Sequence, residues 1–109
     1  MKTSELIGPA LDWAVAKCET ASGRDNADTW LRDFRIRFAT RYSSVWSQAG
    51  PIIEREGLCV NPDFPRGWMA ITNNAELMQF GPTPLIAAMR CYVASKLGDE
   101  VEIPEELQP

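Results

Sequence analysis

A chain of 109 residues and 12.2 kDa has room for one hydrophobic core, because single cores commonly form at about 100 to 150 residues. Its 45% hydrophobic and 24% charged content, with four Trp, is ordinary globular composition and excludes a disordered or coiled-coil chain. It contains no His, which removes the Ser-His-Asp triad, the Cys-His pair, imidazole metal ligation and the histidine pH switch together.

The net charge of −4 is unevenly spread. All eleven Lys and Arg lie before residue 98 with ten of the acids, leaving residues 1–97 at +1, while Asp99, Glu100, Glu102, Glu105 and Glu106 close the chain without a base. Residues 1–98 are therefore expected as a single domain and 99–109 as an acidic tail. The tail is expected to be solvated and mobile, since like charges repel and Pro104 and Pro109 oppose helix. Cys18, Cys59 and Cys91 fit no zinc or disulfide spacing. Cys18 and Cys91 fall in apolar helical patterns and read as small core hydrophobes. No apolar run nears the roughly 20 residues that cross a bilayer, and the first residues lack a signal-peptide core. A reduced, cytoplasmic protein with no membrane association is expected.

In chain order, Pro9 suits a first helical turn, and Leu11, Ala14, Val15 and Cys18 make one apolar stripe over 8–20, which predicts an amphipathic helix. Residues 27–41 carry Arg32, Arg35, Arg37 and Arg41 among Trp30, Leu31, Phe34, Ile36 and Phe38. A period of two favours a strand there over a helix. Asp25, Asp28 and Asp33 dilute the basic patch, so nucleic acid is not expected as a partner. Pro51 to Glu56 predicts a short helix with Gly57 at its C-terminal cap. Leu58–Val60, Gly67–Thr72 and Glu76–Phe80 predict an antiparallel meander, with Asn73-Asn74 turning the second hairpin. Thr83 as N-cap, Pro84 at the first helical position and Gly98 at the end delimit a helix over 84–97. Only Arg90, Ser95 and Lys96 are polar in its stretch from Leu85 to Leu97, so it must be covered on several sides, by sheet, first helix or a second subunit.

Chemistry is sparser. Glu54-Arg55-Glu56 is the tightest charged cluster, but Glu54 and Glu56 do not share a helix face and read better as exposed charges. No metal-binding spacing is present and no cofactor is expected. The start of the last helix, with Thr83, free N–H groups and the positive end of the dipole, is a candidate anion seat with Arg90 two turns on. Trp46, Trp68 and Tyr92 offer flat walls for a nucleobase. The candidate ligand-binding residues are thus Trp46, Glu54, Arg55, Trp68, Thr83, Arg90 and Tyr92; no catalytic set emerges.

The segments MKTSEL, Ala10 to Ala16, Gly50 to Gly57 and especially GPTPLIAAMRCYVASKLGDEVE over 81–102 make the chain similar to the NinX family of small proteins from lambdoid, P22-like bacteriophages and prophages. The stretch Tyr42 to Trp46 departs from the family pattern, and 21–41 carries no match. The resemblance implies a setting, phage infection of an enteric bacterium, and brings no catalytic residue with it.

The residues and the resemblance together predict an α+β fold, a three- or four-stranded antiparallel sheet packed with an N-terminal and a C-terminal helix. Self-association is expected from the apolar wealth of 85–97. Two roles follow. One is a non-enzymatic accessory protein holding a small phosphorylated or nucleotide-like ligand, such as a host defence signal. The other is an interaction factor docking on a host or phage protein of nucleic-acid metabolism.

Overall fold

The last helix organises the protein. In the computed structural model, which describes residues 1–20 and 39–108, this helix (Pro84–Leu97) buries Leu85 to Met89 and Cys91 to Ala94, so apolar surface lies all round it. It packs against all three strands and against two other helices. We name the elements α1 (Gly8–Thr20), α2 (Trp46–Glu56), β1 (Cys59–Asp63), β2 (Gly67–Ile71), β3 (Met78–Gly81) and α3 (Pro84–Leu97), with one-turn 3-10 helices at Thr3–Glu5 and Glu105–Leu107. The strands form an antiparallel sheet in the order β1-β2-β3. This is the small α+β fold the sequence predicts.

Both ends of α3 are built from local chemistry. The Thr83 hydroxyl accepts the Ile86 N–H at 3.1 Å, Pro84 occupies the first turn, and the Gly98 N–H reaches the Ala94 carbonyl at 3.0 Å. Gly81, just before, lies so close to α3 that a Cβ there would sit 2.7 Å from the Ala87 nitrogen. Glycine is what lets β3 turn directly onto the helix. α1 begins where the sequence predicts and buries Leu11, Ala14, Val15 and Cys18 against α3.

Three boundaries differ from expectation. α2 starts at Trp46, five residues before Pro51, which lies inside it. Pro51 cannot donate to the carbonyl four residues back, on Ser47, but Ser47 is exposed, where solvent is open to such a group. Buried Ala49 and Ile52 with half-buried Val45 and Ile53 continue one stripe across the proline, and Gln48 braces the segment by accepting from the Arg41 N–H and donating to the Ala39 carbonyl, both at 2.6 Å. β1 runs on through Asn61-Pro62-Asp63, since an edge strand tolerates a missing N–H. The β2–β3 connection is longer than a two-residue turn: the Thr72 N–H reaches the Leu77 carbonyl at 3.0 Å, Asn74 Oδ1 accepts from Thr72 Oγ1 and the Glu76 N–H, and β3 starts only at Met78.

The C-terminal segment is also corrected. Val101, Ile103 and Leu107 are buried while Glu100, Glu102, Glu105 and Glu106 are exposed. The Thr3 N–H bonds the Asp99 carbonyl and the Val101 N–H the Met1 carbonyl, so the segment clasps the first residues and is not a free solvated end. The strand expected within 27–41 lies, except for its last three residues, outside the described residues.

Candidate functional site

The seven residues singled out from the sequence do not converge. Arg90 leaves α3 inward: its Nε donates to the Leu6 carbonyl at 2.8 Å and its Nη1 to the Phe80 carbonyl at 2.7 Å. Burial without a carboxylate partner lowers its pKa from the ordinary arginine value. Thr83 is exposed but spends its hydroxyl on the helix cap. Trp46, 57% exposed, lies at the start of α2. Glu54 is exposed on the same helix. Trp68 is half-buried on β2, packed on the core side of the sheet.

Only Arg55 and Tyr92 meet, within a network that sequence reasoning did not foresee. Tyr92 is buried on α3 and its hydroxyl donates to Glu19 Oε2 at 2.5 Å. The Arg55 Nη2 donates to the same carboxylate at 2.8 Å and to the Tyr92 oxygen at 3.2 Å, and its Nε donates to Glu56 at 3.0 Å. Lys96 pairs with Glu56 at 3.2 Å. Burial alone would raise the Glu19 and Glu56 carboxyls, but the hydrogen bonds they accept, from Arg55 and Tyr92 at one and from Arg55 and Lys96 at the other, outweigh it and hold both below the ordinary range. Burial first, then the Glu19 bond, pushes the Tyr92 phenol up. Among the described residues, Glu19, Glu56, Arg55 and Lys96 pair with one another and tie α1, α2 and α3 together. An incoming phosphate would have to displace carboxylates already in place. Helix-terminal Glu19, lying beyond the stripe of α1, carries no sequence signal for this role.

Two of the three thiols are held protonated by burial. Burial pushes Cys18 up to about 12 and Cys91 up to about 11, while Cys59 is exposed on β1. Among the described residues no group of three His, Cys, Asp or Glu is placed to hold a metal, and no helix is long and apolar enough to cross a membrane. Two adjoining grooves of about 380 and 440 Å3 run between Met1, Lys17 and Glu102, one extending to Leu97 and the other to Trp13 and Gln108. None of the seven candidates lines them.

The surface with the clearest chemistry is the outer face of the sheet. Cross-strand partners share a face, and successive residues alternate. Val60, Trp68 and Ala70 pack on the core, and Val60 pairs with Ala70, which pairs with Gln79. The opposite face therefore carries the row Cys59, Ile71, Met78 and the row Asn61, Met69, Phe80. None of the six is charged. Met78 is 45% exposed, and Met69, Ile71 and Phe80 are half-buried. At one end the Arg66 guanidinium lies over the Phe80 ring, 4.5 Å from its centre, and pairs with Asp63 at 2.8 Å. Beside it, Phe64 at the β1–β2 turn is 95% exposed.

The fold and this face define a small α+β protein whose most distinctive external feature is a partly apolar sheet surface edged by the Asp63–Arg66 pair. The family model described as Bacteriophage P22, NinX matches residues 2–96, and the chain belongs to that family. Among curated proteins, none matches it significantly.

Proposed function

We propose that this NinX-family protein is a non-enzymatic accessory factor that works by docking on a host or phage protein through the outer face of its sheet. The observation that carries the reading is the uncharged double row of Cys59, Ile71, Met78 and Asn61, Met69, Phe80, flanked by an almost fully exposed Phe64. Large apolar side chains grouped on one exposed face are the usual mark of an interaction surface, and aromatic and Met residues are enriched in interface cores. Self-association draws no support from α3, whose sides are filled within its own chain.

Met78→Glu places a charge on this face without touching the core. It is expected to leave the urea unfolding midpoint unchanged and to abolish co-purification of the protein that the unmodified chain retains from infected cells. Retention of the same protein by the variant overturns the reading. The small-ligand role, centred on Trp46, Glu54, Arg55, Trp68, Thr83, Arg90 and Tyr92, is the weaker one. Of these, only Arg55 and Tyr92 come together, and both are already engaged by Glu19. A rise in melting temperature with nucleoside phosphates would restore it, because a ligand that binds only the folded state stabilises it.

A further inference from the structure

We draw no further inference here: the strongest candidate, the pair of adjoining grooves between α1 and the C-terminal segment, carries nothing, because the unpartnered Trp13 indole nitrogen beside them is buried out of a ligand's reach and their walls mix the Lys17 ammonium with the Glu100 and Glu102 carboxylates, so that nothing in the structure shows what fills them.

Discussion

Arg90 shows how a single side chain settles between roles. A cation near a helix start invites an anion, but here the guanidinium reaches two backbone carbonyls, on Leu6 and Phe80. It fastens the approach to α1 and the end of β3 to the central helix. Arg90→Met keeps the length of the stem and removes both donors. Orphaning a buried carbonyl costs about 1–3 kcal/mol, so the variant is expected to lose roughly 2–3 kcal/mol in urea denaturation. An unchanged midpoint would return Arg90 to the list of ligand residues. Sequence could not show this, because Leu6 lies 84 residues away along the chain and the contact exists only once the layers assemble. Arg55 is a similar case: its charge was visible, whereas its pairing with Glu19, 36 residues earlier, was not.

At the level of elements, legibility followed locality. α3 was readable to the residue because Thr83, Pro84 and Gly98 each act on the backbone beside them. Removing the cap with Thr83→Ala is expected to cost about 1 kcal/mol, measured by urea denaturation, and Thr83→Ser is expected to recover most of it. Equal loss in both variants would show that the threonine methyl, not the hydroxyl, matters. α2 starts earlier than Pro51 suggests because the stripe of Val45, Ala49, Ile52 and Ile53, present in the sequence, is the pattern the fold obeys. The C-terminal segment differs from expectation for a related reason. Its charges are conspicuous, yet Glu100, Val101, Glu102 and Ile103 alternate with a period of two, and the apolar members are buried. Charge stays in water on one side of such a segment while the other side packs.

On the scale of the whole molecule, α3 lies between a sheet on one side and α1 and α2 on the other, and the sheet is left with a second face. The alternation that creates this face was present in Met69 and Ile71, and again in Met78 and Phe80. Which of the two faces would be covered depended on where α3 packs, which no local pattern reveals. Oxidative footprinting of the methionines reads the face without altering it. In the purified protein Met78 and Met69 are expected to oxidise well ahead of Met89, which is fully buried in α3. In extracts of infected cells, where the docking partner is present, Met69 and Met78 are expected to become protected to a similar degree. Oxidation of both at the same rate in the two settings would contradict the assignment of the outer sheet face as the recognition surface.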